Sequence, residues 1–331
     1  AFHNGDFHVV RRHAVMRHRD TDGDGVPDKT EVAATGWRSE VIEADPQLKH
    51  RRADDALALA IGPDGTCYVG IGSANHHDAY LAQGQPRARV DLGRMRGCLI
   101  AIPPGGPPRI FATGTRFLVS LQFNRHGDLF GTDQEGATWL PNGNPLDELL
   151  HFREGRHYGF PPRHPVHLPG VVDEPSVFDY APQHQSVCGF RFNEARPGRT
   201  PFGPESWEGD VFAVGESRGK LFRTKLVKTP AGYVARSHLI AQLGNLAVDV
   251  AISPKGDLLL SYHTGAPDWG TGPQGAGKLV KLVWKDRAAA QPLFTYASGP
   301  GETTVAFDRP LEAESWKDLA KNASLQGGPY V

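Results

Sequence analysis

The sequence predicts an all-β protein, and more specifically a β-propeller of about six blades. Glycine and proline number 39 and 27 of 331 residues, about a fifth of the chain against about 12% in an average protein. An apolar run, a glycine turn and a second apolar run recur along the chain, whereas helical periodicity is sparse. A two-sheet sandwich is the alternative, but near-regular repetition of hairpins favours a propeller.

Three copies of the hairpin are clearest, at residues 57–72, 119–133 and 248–262, the first reading "LALAIGPDGTCYVGIG". Glycine takes the positive φ that closes such a turn, and proline fixes φ at one position. The turn glycines fall at positions 5, 65, 127, 209 and 256. Further strands at 97–103, 219–226 and 277–284 would complete four-stranded blades.

The end of the chain departs from this pattern. Residues 1–290 are predicted to form the propeller, and residues 291–331 a linker and the start of a further domain, so the chain would be truncated at both ends. The run "PLEAESWKDLAKNAS" at 310–324 is typical of a short amphipathic helix. Within the propeller, "LDELLHF" at 146–152 is expected to form one helical turn.

Composition limits the partners and the chemistry. The net charge of −1 and the pI near 7 argue against a nucleic-acid partner. No apolar run approaches the ~20 residues that span a membrane. The three cysteines, Cys67, Cys98 and Cys188, form no CxxC pair. A disulfide between Cys67 and Cys98 and buried free thiols both remain open.

The most specific motif is the acidic loop "DTDGDGVPDKTE" at residues 20–31. It matches the calcium-loop pattern D-x-[DN]-x-[DN]-G-x5-E, in which Gly25 permits the sharp turn. Carboxylates packed this closely repel one another unless a cation lies between them. The predicted ligands are Asp20, Asp22, Asp24, the Val26 carbonyl, Asp28 and Glu31.

The setting of this loop differs from that of a calcium sensor. The preceding "DFHVVRRHAVMRH" alternates like two short strands and not like the entering helix of an EF-hand. A calcium ion here would therefore stiffen a loop between propeller strands. An exposed acidic turn without a metal is the alternative.

Three segments together resemble a known family. "IGPDGTCYVGIG", "FATGTRFLVSLQFNRHGDLFGTDQEG" and "NPLDELLHFREGRHYGFPP" follow the order seen in the glucose/sorbosone dehydrogenases, which are six-bladed propellers that use pyrroloquinoline quinone (PQQ). The acidic insertion and the "ETTVAFDRPL" tail look more like the large multidomain membrane-bound dehydrogenases of planctomycete-type bacteria, which often carry c-type haem modules. The resemblance covers about residues 3–285.

The resemblance implies a cofactor site at the end of one strand. By position it assigns this site to Arg116, Asp133, Glu135 and Asp147. The family's arginine is kept at Arg116, but its asparagine is replaced by Phe117. The basic residues that clamp the quinone in later blades have no clear match, so the resemblance implies a degenerate quinone site.

The family's catalytic base is a histidine just before the strand that here begins "LALAIGPDG". This chain has Asp54 and Asp55 at that place. Abstraction of hydride from an alcohol needs a general base near the hydroxyl. The candidates are His50, the nearest histidine upstream, and His76 and His184, whose loops would reach the mouth of a propeller.

Three functions remain open on these grounds. The first is a periplasmic or extracellular quinone-dependent dehydrogenase that acts on a sugar or small alcohol. The second is a non-catalytic propeller that binds a glycan or a partner domain of a larger secreted protein. The third is a propeller lyase or hydrolase with a funnel of histidine, arginine and aspartate.

Overall fold

A computed structural model describes most of the chain. It covers residues 1–37, 56–72, 95–135, 146–160, 170–181, 186–217, 219–244, 246–263, 276–285 and 290–312, with a few isolated residues beyond. The described part is built almost wholly of antiparallel strands, with one short 3₁₀ turn at Glu205–Trp207.

The first two sheets have four strands each, in chain order. Sheet 1 holds β1 (Phe2–His3), β2 (Asp6–Arg11), β3 (Ala14–Arg19) and β4 (Lys29–Thr35). Sheet 2 holds β5 (Ala56–Ile61), β6 (Cys67–Ile71), β7 (Cys98–Ile102) and β8 (Arg109–Thr113).

The next two sheets repeat this plan. Sheet 3 holds β9 (Leu118–Phe123), β10 (Leu129–Asp133), β11 (Asp147–Phe152) and β12 (Phe178–Tyr180). Sheet 4 holds β13 (Val187–Phe192), β14 (Val211–Gly215), β15 (Lys220–Thr229) and β16 (Gly232–Gln242).

Sheet 5 has three described strands, and a separate hairpin follows it. The strands of sheet 5 are β17 (Leu246–Ile252), β18 (Leu258–His263) and β19 (Lys278–Leu282). The hairpin consists of β20 (Pro292–Gly299) and β21 (Glu302–Phe307). It contacts sheet 4, where the Arg236 guanidinium donates to the carbonyl of Thr295 and lies 5.7 Å from the Phe294 ring centroid.

Consecutive sheets pack face to face around a common centre, with the first strands β5, β9, β13 and β17 beside one another. One apolar cluster fills each of the four spaces between them. Phe130 of sheet 3, for example, packs 5.3 Å from Phe192 of sheet 4, centroid to centroid. The predicted all-β propeller is therefore confirmed, with five blades among the described residues.

The predicted turns are confirmed as well. Glycines 5, 65, 127, 209 and 256 all have φ between +78° and +87°. In sheet 3 the Gly127 N–H donates to the Asn124 carbonyl (3.1 Å), and the Asn124 N–H donates to the Asp128 carbonyl (3.0 Å). Sheets 2 and 5 close their first hairpins with the same pair of bonds.

The prediction of a helical turn at 146–152 is wrong. Residues 147–152 form β11, which pairs with β10 from Asp133 opposite Glu148 to Leu129 opposite Phe152. Leu149 and Leu150 are both fully buried. The continuous pairing and burial outweigh the helical preference of a run rich in leucine and glutamate.

Two further observations bear on the sequence analysis. Cys67, Cys98 and Cys188 are all buried free thiols, so the alternative of a Cys67–Cys98 disulfide is not realised. Most of the helix predicted at 310–324 lies outside the described residues. No helix in the described part of the chain is long and apolar enough to cross a membrane.

We expect Gly256→Ala to destabilise the fold more than Gly127→Ala. Both residues have a positive φ, which costs about 1–2 kcal/mol for alanine. A Cβ on Gly127 meets nothing within 4 Å, whereas one on Gly256 would lie 2.8 Å from the Pro201 carbonyl oxygen. Overpacking of this kind adds about 1–3 kcal/mol. Urea denaturation of both variants measures the difference, and equal losses would contradict it.

Candidate functional site

The residues assigned to a cofactor site by resemblance come together at one end of sheet 3. Arg116 lies in the loop between β8 and β9, Asp133 ends β10, and Asp147 begins β11. Glu135 follows two residues after β10. All four are buried, so the described part of this end of the sheet forms an acidic site with one arginine, Arg116, beside it.

Asp133 fixes the loop that carries Arg116. Its Oδ2 accepts the Arg116 backbone N–H at 2.8 Å, and its Oδ1 accepts the Phe117 N–H at 2.7 Å. Burial raises the pKa of Asp133 to about 6, although these two donors and the Arg116 charge favour the ionised form. The carboxylate therefore satisfies buried backbone donors.

Asp147 joins sheet 3 to sheet 4. Its Oδ1 accepts the Glu135 backbone N–H and its Oδ2 accepts the Val187 N–H, both at 3.1 Å. The Arg116 guanidinium donates to the Gln134 carbonyl oxygen at 2.7 Å. Both side chains thus bond to the main chain of the strand ends around them.

Glu135 and Glu148 are further carboxyl groups at this end of the sheet, where Glu148 lies opposite Asp179 of β12. Glu135 is 4% exposed, and Oε2 of Glu148 is buried with no hydrogen-bond partner among the described residues. Burial, followed by the charge of Asp133, raises the pKa of both groups well above the ordinary glutamate value. Both groups therefore tend to hold a proton, and a held proton lets a carboxyl group donate a hydrogen bond.

One buried histidine near this site was not among the predicted residues. His157 is 3% exposed, and its Nδ1 lies 2.9 Å from Thr113 Oγ1 at the end of β8. A Cβ on Gly114 would lie 2.7 Å from its ring, so the positive-φ glycine makes room for it. The only sequence signal for His157 was its place in the quoted "GRHYGF" segment.

The three histidines predicted as bases, His50, His76 and His184, lie outside the described residues, as do Asp54 and Asp55. Their role in catalysis stays a prediction. Among the described residues, the acidic site is therefore characterised by its carboxyl groups and Arg116.

The acidic loop connects β3 to β4 and brings together three of its carboxylates. Ligand oxygens of Asp20, Asp22 and Asp28 lie within 4.8 Å of one another. Asp20 also accepts the backbone N–H groups of Gly23 and Gly25, both at 2.7 Å, and these bonds lower the pKa of Asp20. The loop backbone is thus folded around one aspartate.

The other predicted ligands have other contacts. The Asp24 carboxylate accepts the Val26 backbone N–H at 2.7 Å. Glu31 lies on β4 opposite Arg17 and forms an ion pair with it. Calcium binding by this loop stays a prediction, with Asp20, Asp22 and Asp28 as its nearest group of oxygens.

Comparison with solved structures relates the fold to sugar dehydrogenases. A glucose dehydrogenase-type oxidoreductase from Thermus thermophilus superposes with a TM-score of 0.54 at 20% identity, covering 82% of this chain and 74% of that one. The PQQ-bound aldose sugar dehydrogenase of Streptomyces coelicolor gives 0.53 at 17% identity, covering 83% and 73%. The chain shares their propeller fold. No protein-family model and no curated protein matches the sequence.

We expect calcium to raise the melting temperature of the protein through the acidic loop. A ligand at a hundredfold excess over its Kd stabilises the fold by about 2.7 kcal/mol. Asp22→Asn should reduce this shift, because it removes one charge but keeps an acceptor for the Asp24 N–H. Melting curves in calcium and in chelator measure the effect.

Asp64→Asn is the matched control for the loop. Asp64 also sits in a turn and accepts a backbone N–H two residues on, at 3.0 Å, but it lies outside the acidic group. Its calcium shift should equal that of the unchanged protein. The same melting temperature with calcium and with chelator would contradict a structural ion.

We expect Glu148→Gln to flatten the pH dependence of stability. A carboxyl group whose pKa is raised by folding contributes stability that is fully present below the unfolded value of about 4.5. That stability is lost as the pH rises through the folded value. Glutamine does not ionise, so the variant does not lose stability in this way. At pH 8 its free energy of unfolding should be about 1–3 kcal/mol higher than that of the parent.

Urea denaturation from pH 4 to pH 8 tests this expectation. Glu205→Gln is the control, because Glu205 is exposed on the short 3₁₀ turn. It should leave the pH dependence of the free energy of unfolding unchanged. Parallel curves for the parent and Glu148→Gln would show that the Glu148 carboxyl group does not titrate abnormally.

Proposed function

We propose that this chain is a sugar-dehydrogenase-type propeller that binds a carbohydrate or a related small alcohol, and that its quinone site is degenerate. The observation that carries the proposal is the charge at the end of sheet 3. The carboxyl groups of Asp133, Glu135, Asp147 and Glu148 gather there with Arg116, whose guanidinium donates to the Gln134 carbonyl.

This charge does not suit PQQ. The quinone carries three carboxylates, and holding them requires several well-placed cations. Asp133 is acidic and lies directly against the Arg116 backbone, so any negative ligand would meet repulsion there. The residues described at this site thus disfavour the quinone.

The same groups suit a neutral polyhydroxylated ligand. Carboxylates accept hydrogen bonds from hydroxyl groups, and a protonated glutamate can also donate one. Burial raises the pKa of both Glu135 and Glu148, and each carboxyl group accepts hydrogen bonds when ionised and can also donate one when protonated. The likeness of fold to sugar dehydrogenases supports a carbohydrate as the ligand.

A quinone-dependent dehydrogenase is the second candidate. It is favoured by the likeness of the fold to the PQQ-bound Streptomyces enzyme. In that case calcium and PQQ would be cofactors, and a c-type haem module would be a suitable electron acceptor. The periplasmic or extracellular location also stays a prediction.

We expect the protein to bind glucose without PQQ, to bind PQQ weakly, and to oxidise glucose slowly or not at all. Calorimetric titration with glucose tests the first point. Titration with PQQ in excess calcium, followed by the quinone absorbance, and dye-linked glucose oxidation test the others. Glu135→Leu should weaken glucose binding by about fivefold, because it removes a hydrogen-bonding group worth about 1 kcal/mol.

Asp64→Asn is the control, because Asp64 lies in the turn between β5 and β6, away from the end of sheet 3 that holds the acidic site. It should bind glucose like the parent. Tight PQQ binding with sugar-dependent reduction would overturn the degenerate site and make His50, His76 and His184 the next residues to replace. Absence of glucose binding would overturn the carbohydrate ligand.

A further inference from the structure

A cavity lies between the inner strands of sheets 1 to 4. Its volume is about 650 Å³, and it is lined by Ala1, Phe2, β2, β5, β9, the end of β13 and the loop after β13. Pockets of about 300–1,000 Å³ accommodate small-molecule ligands. The cavity differs in place and in charge from the acidic site.

Its place follows from the direction of the strands. β13 begins at Val187, whose N–H binds Asp147 in the acidic site, and ends at Phe192, which lines the cavity. β9 likewise begins next to Phe117 and ends at Phe123 in the cavity wall. The inner strands therefore run from the acidic site towards this cavity.

Three arginines line the cavity: Arg191 at the end of β13, and Arg196 and Arg199 in the loop that follows. Arg196 and Arg199 flank a tight turn in which Gly198 has a φ of +74°. Their main chains exchange two hydrogen bonds, of 3.2 Å and 2.8 Å. Residues paired in this way project their side chains from the same face of the turn.

Nearby carboxylates only partly balance these charges. Asp249 Oδ2 lies 3.6 Å from Arg191, and Glu194 Oε2 lies 3.9 Å from Arg196, both beyond hydrogen-bond distance. Arg199 donates to the Glu194 carbonyl oxygen at 3.1 Å, while its Nε has no hydrogen-bond partner among the described residues. Burial, followed by the Arg196 charge, lowers the pKa of Arg199.

The rest of the wall combines apolar side chains with polar ones, which include His8, Ser120 and Gln122. Leu57 and Leu59 of β5 and Val119 and Leu121 of β9 face the cavity. Arginine presents a planar fork of donors that matches the two oxygens of a carboxylate or phosphate. Two such forks on one turn favour an oxyanion, and the mixed wall beside them accommodates the small organic body that carries it.

We propose that this cavity binds a small molecule that carries a carboxylate or a phosphate group, held by Arg196 and Arg199. The site is independent of carbohydrate binding at the acidic end of sheet 3. The two sites prefer ligands of different charge. The acidic site repels anions, whereas this cavity attracts them.

Calorimetric titration of the full chain at low ionic strength tests the proposal with three probes: inorganic phosphate, gluconate and uncharged glucose. Phosphate tests for recognition of a phosphate group, and gluconate tests for recognition of a carboxylate. At least one of the two should bind. Arg196→Gln should weaken that binding by at least about tenfold. Glucose binding, where the acidic site provides it, should not change in this variant.

Arg156→Gln is the matched control. Arg156 has the same side-chain exposure as Arg196, at 51% against 52%, and it also lies near one carboxylate, Glu174. It should bind the anion like the parent. Equal weakening in both variants would show a general effect of surface charge and would overturn the proposal, as would absence of binding to both anions.

Arg196→Lys separates geometry from charge. It keeps the positive charge but loses the planar fork, so it should fall between the parent and Arg196→Gln. Arg199→Gln should also weaken anion binding, and the melting temperature of each variant shows whether the fold is intact. An Arg196→Lys variant that binds like the parent would overturn the paired-fork arrangement.

Discussion

Burial of each middle sheet on both faces is the constraint on which the rest of this protein depends. Four apolar clusters fill the spaces between five consecutive sheets, and each cluster takes its residues from two neighbours. Every residue of β7, β10 and β14 is therefore buried. This explains why the sequence shows continuous apolar runs in place of strict alternation.

The same burial creates a problem at the ends of the strands. Backbone N–H groups that leave a sheet inside the protein still need acceptors, since an unpaired buried donor costs about 1–3 kcal/mol. Asp133 and Asp147 supply these acceptors for Arg116, Phe117, Glu135 and Val187. Part of the acidity at the end of sheet 3 is thus structural, and a ligand there meets carboxylates that also hold the fold together.

Local chemistry decided which features the sequence could predict. Turns such as "GPDG" depend on one or two residues, so the positive φ of Gly65 and Gly256 could be predicted without knowledge of the fold. The strand β11 could not be predicted in this way, because residues 147–152 form a strand only through pairing with β10 and burial of Leu149 and Leu150. Helical preference was the stronger local signal there.

The acidic site could be predicted only in part from the sequence. Resemblance located Arg116, Asp133, Glu135 and Asp147, but not what they bind. The partner of Asp147, Val187, lies 40 residues away on another sheet, so no local pattern could indicate the bond. Arg196 and Arg199 could not be told from surface arginines, since the cavity beside them needs strands from four sheets.

The inner strand β13 connects two regions of opposite charge. Val187 at its start binds an aspartate of the acidic site, and Arg191 near its end lines the basic cavity. Four residues of strand separate them by roughly 13 Å. The net charge of −1 for the whole chain conceals this separation.

The distance also decides whether the two regions influence each other. The charges that most affect the pKa of Glu148 belong to carboxyl groups such as Asp133 and Asp179 in its own sheet, and Arg196 is not among them. Substitutions more than about 7–10 Å apart that share no partner usually have additive effects. Loss of a charge at Arg196 should therefore leave the protonation of Glu148 unchanged, and the two regions can select their ligands independently.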